Sequence, residues 1–282
     1  MTTAVRQKTV RRSGTIRGTG IHTGEQAAVT VRPASRDGGI RFLKHGKEIG
    51  RMGAHGPHLA DPRLRCSFVG EGTDRILTVE HLLAACYGLG LTNAVIDVEG
   101  PEIPVLDGSS KPFVEFLNGL GLEDQGESEG FYRVQEPIFC HDGGRVICAL
   151  PSEKFVVSYL LDYDHPYLRG QAVQFTVTPE IFEKEIAPAR TFCTAKEAVD
   201  LKTAGFGLGA TTKNTLVIPE QGFDESGLRF KDECARHKVL DIVGDLAFLG
   251  RPMLGCIIGL RSGHSLNRQL VSAIMKQKGL HG

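Results

Sequence analysis

The chain has 282 residues, enough for two domains of roughly 130 residues each. Lys plus Arg and Asp plus Glu both number 33, so no net field recruits nucleic acid or an anionic membrane, and a small-molecule site is expected. The 7 cysteines are odd in number and lack CxxC or zinc-ribbon spacing, which suits free thiols in a reducing compartment. The start MTTAVRQKTVRRSG is basic but lacks the apolar stretch of a signal peptide, and no run approaches the roughly 20 apolar residues of a spanning helix. A cytoplasmic protein is expected, with a monomer favoured.

In TIRGTGIHTGEQAAVTVRP (15–33), the alternation of Ala28 and Thr30 with Val29 and Val31 predicts a strand after a glycine-rich turn. A phosphate-loop reading of RGTGIHTG lacks both the strand-turn-helix setting and a following Lys-Ser/Thr. LTVEHLLAACYGLGL (77–91) predicts a helix with Thr78 as N-cap and Gly88 or Gly90 as its stop. NAVIDVEG (93–100) reads as a strand and GPEIP as a turn. SSKPFVEFLNGLG (109–121) reads as a helix capped by Ser109 or Ser110, with Pro112 in its first turn. GLEDQGESEG (121–130) is glycine-rich and acidic with a single leucine, the composition of a surface linker. The domain boundary is placed there, giving 1–126 and 127–282.

The second half restarts with strands in YRVQEPIFC (132–140), RVICAL (145–150), KFVVSYLL (154–161) and AVQFTV (172–177), followed by a helix near 194–204. ECARHKVLDIVGDLAFL (233–249) is helical by its apolar spacing, LGCIIGL (254–260) is a last strand, and LNRQLVSAIMKQK (266–278) is an amphipathic helix. Strands and helices are grouped rather than alternating, which favours an α+β fold over a doubly wound sheet. No repeat between the halves is visible.

The helix from 233 to 249 carries His237, Asp241 and Asp245 at four-residue spacing, a stripe that drifts only about 40° per step. Among apolar neighbours such a stripe must face a cleft, another domain or an ion, because bare buried charge is expensive. His237 and Asp241 are placed to chelate one cation, although HxxxD alone is more often a solvated face. Glu80 and His81 fall in the first turn of the 77–91 helix, where a carboxylate benefits from the macrodipole. Adjacent helical residues point about 100° apart, so one can ligate while the other reaches the ion's water; the alternative is a surface Glu-His pair. His264 in RSGHSLN follows the last strand, in the kind of loop that often carries catalytic groups, and Asp245 is placed to orient it. Together these give two His and one Asp for zinc, a Glu base and a His acid, with Thr191 and Lys238 available to the oxyanion. None of the spacings matches HExxH, so a metal-assisted hydrolase and a metal-stabilised scaffold both stay open.

The segments 77–117, ARTFC (189–193), KNTLV (213–217), GLRFKDECARHKVLDIVGDLAFLGRP (227–252) and RSGHSLN (261–267), with GTGIHTG (18–24), closely resemble the UDP-3-O-acyl-N-acetylglucosamine deacetylases, zinc enzymes of lipid A biosynthesis. The resemblance implies two domains of like α+β topology, each with an insertion, and a site in the cleft between them. It implies zinc ligands His81, His237 and Asp241, Glu80 as base, His264 as acid, and Asp245 orienting that acid. Thr191 and Lys238 would assist the substrate carbonyl, with Phe192 on the substrate side. Asp162 and Tyr163 would lie near the uridine and Arg261 near the diphosphate. The insertion near 190–215 would wall the acyl passage with Gly209, Ala210 and Thr211. Many relatives have Gly-Gly-Ser where this chain has Ala210, Thr211 and the adjoining Thr212, which implies a narrower or altered passage. The remaining alternatives are a zinc amidohydrolase acting on another acylated amino sugar and a non-catalytic metal-stabilised binding module.

Overall fold

The computed structural model describes residues 5–53, 65–128 and 130–277. Its first half runs β1 (Val5–Val10), β2 (Gly14–Thr19), β3 (Gln26–Pro33), β4 (Ile40–Lys44), β5 (Lys47–Arg51), β6 (Phe68–Val69), β7 (Ile76–Leu77), α1 (Glu80–Leu89), β8 (Ala94–Glu99), α2 (Lys111–Leu120) and β9 (Leu122–Ser128). The second half runs β10 (Tyr132–Arg133), β11 (Ile138–Asp142), β12 (Arg145–Leu150), β13 (Phe155–Leu161), β14 (Gln171–Thr176), the single turn α3 (Pro179–Ile181), β15 (Phe192–Thr194), α4 (Ala195–Thr203), β16 (Leu216–Ile218), α5 (Glu233–Leu246), β17 (Met253–Leu260) and α6 (His264–Lys276). The α+β expectation holds.

The halves share one topology that their residues do not advertise. The first sheet is ordered β2-β3-β8-β4-β5 and the second β11-β12-β17-β13-β14, with β10 added beside β17. In both, the central strand (β8 or β17) pairs antiparallel with the first hairpin and parallel with the second. Each half therefore reads four strands, helix, strand, helix, with extra elements inserted before the first helix. This pattern relates α1 to α5 and α2 to α6. Alternation along β17 sends Met253, Gly255, Ile257 and Gly259 inward, while Ile258 is part-exposed on the other face. No helix among the described residues is long and apolar enough to cross a membrane.

Three local readings change. Residues 122–128 are a strand rather than a linker: β9 pairs antiparallel with β1, setting Arg6 opposite Glu127 and Lys8 opposite Asp124. The acidic composition complements a basic strand more than a hundred residues away, a partner that local composition cannot reveal. Glu129 of that segment and Lys278 at the end of the tail helix lie outside the described residues. Thr78 does not cap α1; it sits in the left-handed region at φ 58°, and Val79 holds the N-cap position. Ser110 occupies the N-cap of α2, but its hydroxyl donates to the His81 carbonyl at 2.5 Å instead of to its own helix. The stop at Gly90 holds, with φ 71°.

α1 and α5 lie against each other at the centre of the molecule, and both are buried almost all round. Leu82, Leu83, Val239, Leu240 and Val243 are fully buried, which supplies most of the apolar driving force for bringing the helices together. The approach is closest at Gly244, where an added Cβ would lie 2.2 Å from the Glu80 carbonyl oxygen. Gly244→Ala is therefore expected to destabilise the protein by about 1–3 kcal/mol by overpacking two backbones. Denaturant unfolding checks the cost, and a metal titration should show weaker binding because Glu80 and His81 move with α1.

Candidate active site

The first turn of α1 is held by a buried carboxylate. Glu102, fully buried, accepts from the Thr78 hydroxyl at 2.6 Å, from the backbone N–H groups of His22 and Thr23, and from the Thr23 hydroxyl at 2.8 Å. These bonds hold Thr78 in a conformation unusual for a β-branched residue and tie the GTGIHTG turn to the start of α1. Glu80 and His81 follow at once, and both are buried.

Across from them, α5 presents His237 and Asp241. The His237 Nδ1 lies 3.1 Å from the Ala189 carbonyl, a bond that places the proton on Nδ1 and leaves the Nε2 lone pair facing the site. His237 Nε2 is 3.4 Å and His81 Nε2 3.9 Å from Asp241 Oδ1, and the two rings meet edge to face at 5.0 Å. A tetrahedral ion with ligands at about 2.0–2.2 Å requires ligand atoms roughly 3.3–3.6 Å apart, and the three ligand atoms lie within 4.8 Å of one another, so shifts on the order of 1 Å bring them onto one ion. Asp241 Oδ2 accepts from Lys238 Nζ at 2.5 Å, whereas the buried Oδ1 has no hydrogen-bond partner. A buried carboxylate oxygen left without a donor between two imidazoles fits a cation. Among the described residues, His81, His237 and Asp241 are the one group of three so arranged.

Their protonation suits ligation. Burial and the neighbouring His237 ring hold His81 down to about 3, and burial likewise lowers His237, so both rings are neutral. Burial works against the Asp241 carboxylate, but the Lys238 ammonium and the charged His264 ring outweigh it and keep the group anionic.

Glu80 and His264 flank this group. Glu80 Oε1 is 3.6 Å from His264 Nε2, and Glu80 Oε2 accepts from the Ser67 backbone N–H at 3.0 Å. Burial pushes Glu80 up to about 8; a divalent cation beside it acts in the opposite sense. His264 Nδ1 is 2.9 Å from Asp245 Oδ2, and the fully buried Asp245 also accepts from Asn267 Nδ2 at 2.8 Å and from the Ser67 hydroxyl. Burial opposes the charged ring, yet Asp245, Asp241 and Glu80 hold His264 up to about 9. His264 is not in a loop; it is the first residue of α6, behind an extended Gly263.

These groups open onto a cavity of about 880 Å³. Thr191, Lys238 and Phe192 line it near the ligand group, the Phe192 ring standing 6.3 Å from that of His237. Asp162, Tyr163 and Arg261 line it elsewhere: Arg261 is 3.9 Å from Asp162, and the Tyr163 ring is 6.1 Å from Phe192. Arg261 has φ 55°, a second non-glycine residue in the left-handed region beside the site. Ala210, Thr211 and Thr212 are on the wall, but Gly209 is not. Its N–H donates to the Ile21 carbonyl, and an added Cβ would meet Gly20 O at 2.2 Å, so its small size serves a backbone contact.

Sequence reasoning missed several neighbours. His22 lines the cavity with a buried, unpartnered Nδ1 and its ring edge-on to Phe206, a signal lying in plain view in GTGIHTG. Arg65 and Glu197, paired at 2.7 Å across 132 positions, and Ser67 had no local signal.

The family model described as UDP-3-O-acyl N-acetylglycosamine deacetylase matches residues 7–276. A UDP-3-O-acyl-N-acetylglucosamine deacetylase of Anaeromyxobacter sp. (strain Fw109-5) is 38% identical over 276 residues, spanning 98% of this chain and 90% of the relative. Proteins of that name from Leptospira biflexa and Acidithiobacillus ferrooxidans are 36% and 38% identical, covering 98% and 96% of this chain and 92% and 90% of their own lengths.

Removing one of the three candidate ligands should cost more than the 10–100-fold in metal affinity typical of a lost supporting hydrogen bond. Competition of His81→Ala and His237→Ala proteins against a chelator of known affinity measures this loss.

Proposed function

Because the chain belongs to the UDP-3-O-acyl N-acetylglycosamine deacetylase family, we propose that its two halves act as domains sharing one hydrolytic site. The first supplies Glu80 and His81, the second His237, Asp241 and His264. The reaction is hydrolysis of the N-acetyl group of a UDP-3-O-acyl-N-acetylglucosamine, a step of lipid A biosynthesis. One observation carries the assignment of roles: Glu80 and His264, from opposite halves, stand 3.6 Å apart, and His264 Nε2 lies 3.8 Å from the Asp241 carboxylate whose other oxygen is unpartnered.

His81, His237 and Asp241 would hold the metal, and two imidazoles with one carboxylate suit zinc. When bound, such an ion polarises a carbonyl and acidifies water. Glu80 takes the proton of the attacking water as its oxygen bonds to the acetyl carbon. The C–N bond then breaks, the electron pair stays on nitrogen, and His264 Nε2 donates the proton that makes the departing amine. Asp245 holds the opposite ring nitrogen and supports the charged imidazole before transfer. Thr191 and Lys238 assist the carbonyl oxygen, Lys238 sharing its ammonium with Asp241. The Arg261 guanidinium suits a diphosphate, Tyr163 a uracil face with Asp162 beside it, and Phe192 the sugar side. Ala210, Thr211 and Thr212 border the acyl chain and would alter the length preferred, because a rigid passage senses single methylenes. A purely structural metal site would need neither Glu80 nor His264.

Acetate release from UDP-3-O-acyl-N-acetylglucosamine should vanish with a chelator and return with zinc. Glu80→Gln should lose about a hundredfold or more in kcat with metal content unchanged; wild-type turnover in that variant would refute the base assignment. A chain-length series compared between this protein and its Ala210→Gly, Thr211→Gly, Thr212→Ser variant tests the passage. Identical profiles would remove that idea.

A further inference from the structure

The polar stripe of α5 has a fourth member one turn earlier. Glu233 precedes His237 by four residues, opens the helix, and is fully buried. Its Oε1 accepts from the Arg190 backbone N–H at 3.0 Å and from Arg190 Nε at 2.8 Å. Its Oε2 accepts from Arg190 Nη2 at 3.1 Å and from the Arg229 backbone N–H at 2.7 Å. Four donors converge on one carboxylate that also sits at the positive end of its helix.

The segment gripped in this way matters to the site. Ala189, before Arg190, supplies the carbonyl that fixes the His237 tautomer, and Thr191, after it, lines the cavity. The opposite side is held from the first half of the chain. Thr191 N–H donates to Gly108 O at 2.8 Å and Ser110 N–H to Ala187 O at 3.0 Å. Arg229 bridges Pro188 O, at 2.7 Å, and Asp107, at 2.8 Å. Residues 187–191 are thus clamped between the 107–110 loop and the N-terminus of α5.

We propose that Glu233 is a positioning residue: through Arg190 it sets the Ala189 carbonyl against His237, and so fixes both the orientation of that imidazole toward the metal and the placement of Thr191. This rests on the reading of His237 as a ligand. A carboxylate serving only to stabilise the fold would leave metal geometry alone, and that difference is measurable.

The test uses the full chain, stripped and reloaded with Zn2+ or Co2+. Glu233→Gln keeps the shape but gives up one acceptor oxygen, and should weaken zinc about tenfold or more in chelator competition. It should also change the visible absorption of the cobalt form, which reports ligand geometry. Arg236→Gln is the control: one residue before His237, it breaks ion pairs with Asp232 and Glu185 that do not touch residues 187–191. It should leave zinc affinity and the cobalt spectrum unchanged. If Glu233→Gln fails to fold, Arg190→Lys keeps the charge but loses the fork, and should weaken zinc several-fold with a cobalt shift of the same kind. Wild-type zinc affinity and an unaltered cobalt spectrum in the folded Glu233 or Arg190 variant overturn the inference, whatever happens to Tm, while leaving the ligand assignment standing. Undiminished zinc affinity in His237→Ala overturns the ligand assignment and this inference with it.

Discussion

The site depends on how closely α1 and α5 approach. At Gly244 no Cβ separates α5 from the Glu80 carbonyl, so the first turn of one helix rests on the last turn of the other. That contact puts Glu80 and His81 within reach of His237 and Asp241, although more than 150 residues separate them in the chain. Apolar burial supplies the attraction between the helices, and the missing side chain sets the distance. The shared topology of the two halves explains why these helices meet: each follows the fourth strand of its sheet, and their faces pack together at the centre.

A buried, charged interface of this kind is costly unless each group is matched. Glu233 is answered by Arg190 and backbone N–H groups, Asp241 by Lys238, and Asp245 by His264, Asn267 and Ser67. The exception is Asp241 Oδ1, which has no donor and lies 3.4 Å from His237 Nε2 and 3.9 Å from His81 Nε2, both on neutral rings. A carboxylate oxygen left unmatched beside carboxylates that are matched distinguishes a site built for a cation from a core that merely tolerates charge.

The backbone contributes through two left-handed residues at the edges of the site. Thr78 stands two residues before Glu80 and Arg261 three before His264, each at the junction between a strand and the helix that carries the reacting group. Glu102 holds the first of these with its hydroxyl bond. The orientation of the α1 start is therefore set by tertiary contacts against local preference.

What could be read without coordinates was whatever repeats at short range. The 3.6-residue period put His237, Asp241 and Asp245 on one stripe, glycine and proline marked the ends of α1 and α2, and alternation marked β3. The match to family motifs named the chemistry. The same stripe began at Glu233, but periodicity alone could not say that this carboxylate faces Arg190 while its neighbours face the cavity. Tertiary structure decided everything that depends on a distant partner: residues 122–128 form a strand because β1 offers opposite charges, Thr78 abandons capping for Glu102, Gly209 packs on the turn at 20–24, and two dissimilar halves fold alike. The physical reason is one of range. Local periodicity and turn chemistry act over a few residues, whereas the closing of one helix on another is set by burial and by the absence of a single Cβ, which no window of sequence contains.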